Sequence, residues 1–123
     1  MNVISTEKAP AAIGPYSQGL DVGTMVFVSG QLPINPVTGA MAETVEEQAA
    51  QSLTNIKHIL ESDGLTMANV VKTTVFLADL TDFPAVNAVY ETFFVKPFPA
   101  RSCVQVAAIP KGAKLEIECI AVK

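Results

Sequence analysis

The chain has 123 residues, half of them apolar, and a formal net charge of −4 at pH 7 from eight Lys and Arg against twelve Asp and Glu. Its length predicts one domain spanning residues 1–123 with a single core. The acidic balance argues against a cationic surface for nucleic acid. Because no stretch approaches the roughly 18 apolar residues of a membrane span and the start lacks a secretory signal, we expect a cytoplasmic protein.

The first two elements are a strand and a helix. Met25–Ser29 is a short run of apolar residues that predicts a strand covered on both faces. From Val45 onward, apolar residues recur in steps of three or four, which predicts a helix with one apolar stripe. Thr44 and Glu47 form a capping box at its start, and Gly64 supplies a left-handed stop.

A second strand and a second helix follow. Val70–Leu77 is rich in β-branched residues and too short for a stable helix, so it is predicted to be a strand. Thr81 or Asp82 can cap the next helix, and Pro84 is tolerated in its first turn. The proline-rich segment 97–99 ends that helix.

The end of the chain predicts two more strands, Ser102–Ala107 and Leu115–Val122, joined by a turn at 110–112 as an antiparallel hairpin. The order strand, helix, strand, helix, strand predicts a mixed α/β sheet with two right-handed crossovers and parallel pairing inside each unit. Two helices cover only one face of such a sheet. Since several strands are apolar on both faces, we expect self-association to cover the other.

Metal and cofactor chemistry finds little support in the residues. The single histidine, His58, lies on the polar side of the first helix without a ligand partner at i+4, and no glycine-rich phosphate loop is present. We therefore expect neither metal nor cofactor. Cys103 could act as a nucleophile, but without a nearby base a small buried thiol is the plainer interpretation.

Charged residues near the last two strands are the better candidates. Arg101 follows a proline-rich loop at the start of a strand, where its guanidinium can bind a carboxylate with two hydrogen bonds. An ordinary surface arginine fits the spacing equally well. Glu116 and Glu118 alternate with apolar residues, so both leave the same face of the last strand.

Five longer segments of the chain are distinctive, namely PAAIGPYSQG, VSGQLP, VKTTVFLADLTDF, VNAVYETFF and PARSCVQVAAIPKGAKLEIECIA. In these segments the chain resembles the RidA family, also called YjgF. The resemblance extends over the whole chain, and the last segment, from Pro99 to Ala121, is long enough to be specific.

The resemblance implies a chorismate-mutase-like fold, with a mixed sheet, two helices on one face, and a homotrimer whose sheets form an inner barrel with three clefts between subunits. It also implies an enzyme that hydrolyses small reactive 2-imino and 2-enamino acids, such as 2-iminopropanoate and 2-iminobutanoate, to 2-keto acids and ammonia. Arg101 would hold the substrate carboxylate and Glu116 would orient the attacking water. The other cleft residues implied are Tyr16, Ser29, Gly30, Phe83, Asn87 and Cys103.

The predicted hairpin separates the two charged residues. Folding about the turn at 110–112 sets Cys103 opposite Cys119, which makes a disulfide conceivable, although a cytoplasmic location favours thiols. Arg101 and Glu116 then point to opposite faces, about 16 Å apart along the hairpin. We therefore expect each cleft to take Arg101 from one chain and Glu116 from its neighbour.

Other functions stay open from the sequence. The same cleft can sense a 2-keto acid or another small carboxylate without turnover. An endoribonuclease or translation inhibitor is disfavoured by the single histidine and the low basicity. A stress-induced chaperone is a further alternative.

Overall fold

The computed structural model describes all residues from 1 to 123 and contains six strands and two α-helices. In chain order they are β1 Asn2–Ile4, β2 Gly19–Asp21, β3 Met25–Gln31, α1 Val45–Ser62, β4 Val70–Leu77, α2 Phe83–Glu91, β5 Ala100–Gln105 and β6 Leu115–Val122. Every element predicted from the sequence is present, and the short strands β1 and β2 are additional. Neither helix is long and apolar enough to cross a bilayer.

All six strands form one mixed sheet in the order β1-β2-β3-β6-β4-β5. Strands β4 and β5, joined through α2, pair in parallel as predicted, and the other pairs are antiparallel. The predicted pairing of β3 with β4 is wrong because β6 lies between them. The predicted hairpin of β5 and β6 is also wrong because β4 separates these strands. In its central position β6 has hydrogen-bonded neighbours along both edges.

The core lies between the sheet and the two helices. Residues of β6 alternate between buried and more exposed, and Leu115 and Ile117 on its buried face are fully enclosed. Leu53 and Ile56 from the predicted stripe of α1 are enclosed with them in one apolar cluster, which α2 joins through Val86. Burial of each such side chain contributes about 1.5–3 kcal/mol, so this cluster holds the helices on the sheet.

The two helices start differently. Thr44 caps α1 as predicted, since its Oγ1 accepts the Glu47 N–H at 3.2 Å. The predicted capping box is incomplete, because the Glu47 carboxylate accepts from the Thr44 hydroxyl at 2.8 Å and not from the Thr44 N–H. The predicted cap of α2 by Thr81 or Asp82 is wrong. Asp82 makes no side-chain cap bond, and Asp79 instead accepts the Thr81 N–H at 2.9 Å in a short 3₁₀ turn before the helix. The first free backbone amides are therefore capped at Asp79, about one turn before the position that the sequence predicts for the cap of α2.

The sheet register separates the two cysteines. Thr73 of β4 lies between Arg101 of β5 and Cys119 of β6, whereas Cys103 pairs with Val75. The expected alignment of Cys103 with Cys119 is therefore wrong. Their strands lie two spacings apart, about 10 Å, which is too far for a disulfide, and both residues are free thiols.

The face of the sheet away from the helices is apolar and open. Phe27 of β3 and Val104 of β5 are 42% and 44% exposed on it. Ile120 of β6 pairs with Phe27 on the same face and is half-buried. The two helices thus leave one sheet face uncovered, as the sequence predicts.

Candidate active site

Arg101, near the start of β5, lies against the inner face of α2. Its guanidinium carbon is 5.1 Å from the centre of the Phe83 ring and 4.7 Å from that of Tyr90, and Nη1 donates a hydrogen bond to Asn87 Oδ1 at 2.8 Å. The three α2 residues stand at i, i+4 and i+7, so one helical face supplies them all. The other N–H groups of the guanidinium have no protein acceptor and can bind an anion.

Cys103 follows Arg101 on the same face of β5 and is half-buried. Burial raises the pKa of its thiol, although the charge of Arg101 acts in the opposite direction. A raised pKa keeps the thiol protonated near neutral pH, where it is a weak nucleophile. The geometry therefore favours Cys103 as part of the wall beside Arg101.

Glu116 of β6 lies on the open face of the sheet. Its pKa is raised by burial and, secondarily, by the charge of Glu118. Gly30 of β3 makes room for it, because a Cβ at Gly30 would collide with the Glu116 carboxylate. A carboxyl with a raised pKa that is held over a glycine backbone can orient a water molecule or exchange a proton with it.

An irregularity in β3 contains Gly30, which lies beside this carboxylate, and the preceding Ser29. Val28 pairs with Cys119 and Gln31 with Ile117, so β3 carries one extra residue opposite Glu118, which is a β-bulge. Bulges of this kind turn side chains out of the regular alternation. Ser29 is thereby directed to the chain that precedes β2, and its Oγ donates to the Ser17 carbonyl at 2.5 Å.

A groove of about 530 Å³ opens next to the bulge. Tyr16, which is 53% exposed, lines it together with Ser29 and Glu118. Its apolar wall consists of Leu20, Phe27 and Ile120. The groove therefore combines an apolar surface with polar groups.

The seven predicted cleft residues and Glu116 thus form two groups. Phe83, Asn87, Arg101 and Cys103 lie on the helix side of the sheet, and Tyr16, Ser29, Gly30 and Glu116 lie at the open face. Arg101 shares a row with Cys119, whereas Glu116 shares a row with Phe76 on the other face. Arg101 and Glu116 are three residues apart along the strand direction and two strands apart across the sheet, which corresponds to a separation of about 14 Å. Neither group holds both a cation and a carboxylate for one ligand.

Two residues near these groups were not predicted to be part of the site. In the sequence, Tyr90 shows only helical spacing with other apolar residues of the second predicted helix, such as Val86 and Phe93. Gln18 is buried, and its side-chain amide forms hydrogen bonds with the backbone of Thr6, Ala9 and Pro10. Its backbone carbonyl accepts the Ser29 N–H at 2.9 Å. A buried glutamine in a polar loop has no signature in the local pattern, because its partners are backbone groups.

Other polar clusters are less suited to chemistry. His58 Nδ1 lies 2.9 Å from the Lys8 carbonyl, and no group of three or more His, Cys, Asp or Glu side chains is arranged to hold a metal. A second groove, of about 400 Å³, lies beside the end of α2 and is lined by Lys57, Thr66 and Phe93 among others. None of the predicted site residues lines it.

Comparison with known proteins gives a consistent result. The model of the Endoribonuclease L-PSP family matches residues 6–123. A 2-iminobutanoate/2-iminopropanoate deaminase of Salmonella typhimurium is 60% identical over 123 residues, which cover 98% of this chain and 96% of that protein.

Solved structures agree with the sequence comparison. The YjgF gene product of Escherichia coli is 56% identical, with a TM-score of 0.97 over 100% of this chain and 99% of that one. Escherichia coli TdcF with bound serine is 51% identical, with a TM-score of 0.97 and the same coverage. The chain therefore belongs to the Endoribonuclease L-PSP family, the RidA (YjgF) family whose sequence segments it carries.

Proposed function

We propose that this protein is a 2-iminobutanoate/2-iminopropanoate deaminase, which hydrolyses 2-imino and 2-enamino acids to 2-keto acids and ammonia. The observation that carries the proposal is the arrangement of Arg101, which is held by Asn87 and two aromatic rings while part of its guanidinium stays available. The relative that is 60% identical bears the name of this activity. TdcF, the relative with bound serine, also accommodates a small molecule with a carboxylate.

The reaction makes modest demands on these residues. Arg101 binds the substrate carboxylate and thereby fixes the position of the C=N carbon. Glu116 orients a water molecule, accepts its proton as the oxygen adds to that carbon, and returns the proton to nitrogen. The hydroxyl group of the tetrahedral adduct then loses its proton as the amino group gains one, and ammonia leaves while the C=O bond of the 2-keto acid forms. Water, one cation and one carboxylate suffice for these steps, and we propose no metal or cofactor.

The cleft is proposed to lie between subunits of a homotrimer, with Arg101 from one chain and Glu116 from the next. Two observations support this assembly. The two groups of site residues lie on opposite faces of the sheet, so each needs a partner to bind a substrate. The open apolar face around Phe27 and Val104 needs to be covered.

The remaining parts of the proposal concern the protein's setting. The single domain spans the whole chain and works in the cytoplasm on a freely diffusing small molecule. The acidic net charge of −4 gives no attraction for a phosphate backbone, so nucleic acid is not proposed as a partner.

A turnover assay with an Arg101 variant tests the proposal. 2-Iminopropanoate is generated in the assay by a dehydratase, and its disappearance is followed with the wild type, Arg101→Ala and the exposed cation control Lys57→Ala. We expect acceleration by the wild type and by Lys57→Ala, and a loss of kcat/KM of about 100-fold for Arg101→Ala, since a charge-assisted pair is removed. No acceleration by the wild type would refute the deaminase, and binding of pyruvate without turnover would favour a sensor.

A further inference from the structure

Tyr90 of α2 lies directly under the proposed carboxylate-binding group. Its ring centre is 4.7 Å from the Arg101 guanidinium carbon, which is closer than the ring of Phe83 at 5.1 Å. We infer that Tyr90 is a positioning residue, which holds the Arg101 guanidinium flat on its ring so that its free edge meets the substrate. This inference rests on the proposed function, because it assigns a role to a neighbour of the substrate-binding arginine.

The Tyr90 ring is itself fixed from two sides. Its hydroxyl makes a buried hydrogen bond of 2.7 Å with Thr73 Oγ1. Thr73 is the residue of β4 that pairs with Arg101 across the sheet, so ring and guanidinium are tied to the same row. Phe94 also packs against the Tyr90 ring, with the two ring centres 4.7 Å apart and an interplanar angle of 39°. Tyr90 is only 5% exposed, which leaves it little freedom to turn.

Stacking on Tyr90 and the hydrogen bond to Asn87 each fix a different part of the guanidinium orientation. A planar cation on an aromatic face is attracted by the negative ring quadrupole and keeps its N–H groups in the plane parallel to the ring. Asn87 Oδ1 then accepts from Nη1 and sets the rotation within that plane. The edge formed by Nε and Nη2 has no protein acceptor, so it offers two N–H groups to a carboxylate. Because this geometry exists before the ligand arrives, less side-chain entropy is lost on binding.

The alternative is that Tyr90 serves only as a core residue. Phe94 offers a matched control, because it is 7% exposed, belongs to the same cluster and has no ring contact with Arg101. Tyr90→Leu removes the ring under the cation, Tyr90→Phe keeps that ring and removes only the hydroxyl, and Phe94→Leu removes a neighbouring ring. A purely structural role predicts equal effects of the two leucine variants on the site.

The kinetic test measures kcat, KM and Tm of these three variants with a 2-imino acid, and the Kd of the keto acid 2-oxobutanoate. For Tyr90→Leu we expect KM and Kd to rise about fivefold to tenfold with a smaller change in kcat. For Phe94→Leu we expect KM and Kd within about twofold of the wild-type values, although its loss of Tm is comparable to that of Tyr90→Leu. For Tyr90→Phe we also expect KM and Kd within about twofold of the wild-type values. Equal rises for Tyr90→Leu and Phe94→Leu, or a Tyr90→Phe variant as impaired as Tyr90→Leu, would overturn the inference.

A spectroscopic test needs no ligand. Arg101 is the single arginine of the chain, so ¹⁵N-labelled protein shows one arginine Nε–Hε signal. Stacking on Tyr90 shifts this signal, and the Arg101 δ protons, by the ring current. The shift should be similar in the wild type, Tyr90→Phe and Phe94→Leu and clearly smaller in Tyr90→Leu, in which only the Phe83 ring remains near the guanidinium. A wild-type signal at the random-coil position refutes the stack, whereas a shifted signal without imino acid turnover refutes only the deaminase.

Discussion

At the scale of single residues, the environment of Glu116 bears on both its proposed role in catalysis and the stability of the fold. Its pKa is raised first by burial and then by Glu118, so the folded protein favours its neutral form. The unfolded chain has an ordinary glutamate at this position. The contribution of this group to stability is therefore fully present below the unfolded pKa and is lost as pH rises through the folded pKa. The ionised form that can accept a proton from water is the less stable one.

Glu116→Gln separates these two effects. Because glutamine has the same shape and stays neutral, we expect a higher Tm than that of the wild type at about pH 8, and no difference at about pH 4. The same variant should lose activity at every pH. Wild-type activity should fall toward acid with a midpoint above the usual glutamate pKa. Melting curves and pH–rate profiles test this, and a Glu116→Gln variant with full turnover would contradict the role.

At the scale of elements, the bulge in β3 joins the fold to the site. Between Val28 and Gln31, β3 has one extra residue, which interrupts its regular pairing with β6 opposite Glu118. The irregular backbone brings Gly30 under the Glu116 carboxylate and aims Ser29 at the preceding loop. The strand thus loses some regular pairing at the position where the proposed chemistry needs room.

Gly30→Ala is expected to displace Glu116 without unfolding the protein. The new Cβ meets the far end of a flexible side chain, which can move aside at small cost in stability. Activity should fall by roughly 10- to 100-fold, because the carboxylate leaves its position. The matched control is the double variant with Glu116→Gln, in which Gly30→Ala should have little further effect on turnover. Independent, multiplicative losses in the double variant would argue that Gly30 acts in another way.

At the scale of the whole molecule, the sheet separates the two groups of proposed site residues, one around Arg101 and the other around Glu116. Arg101 and Glu116 lie on opposite faces, and the open face carries exposed Phe27 and Val104. If the open faces meet in a closed ring, each subunit offers its arginine half to one neighbour and its glutamate half to the other. The proposed enzyme is then inactive as a single chain.

Mixing two inactive variants tests this directly. Arg101→Ala and Glu116→Gln chains are unfolded together and refolded as an equimolar mixture, so that subunits combine at random. A cleft shared between chains then contains both intact residues in about one quarter of cases, so activity should return to about a quarter of the wild-type value. Each variant refolded alone is the control and should stay inactive. No recovery in the mixture, with trimers formed, would place both residues of a site in one chain.

The sequence by itself determined the local elements and the chemical candidates of this protein. Helix α1 was predictable from its stripe, its Thr44 cap and Gly64, which has a φ of 80°. Strands β4 and β6 were predictable from their composition. These signals are local, since the 3.6-residue and two-residue periods are set by the backbone of one segment. The long segment from Pro99 to Ala121 likewise identified the family, and with it Arg101.

The tertiary structure alone decided which strands are neighbours and which residues meet. Strand β6 pairs with β3 and β4 rather than folding back on β5, although the short connection suggested a hairpin. The opposite orientation of Arg101 and Glu116 was predicted, but through a register that is wrong. Strand order and the stacking of Tyr90 on Arg101 depend on contacts between segments distant in sequence. Such contacts are selected by the burial and pairing of the whole sheet, and no single segment encodes them.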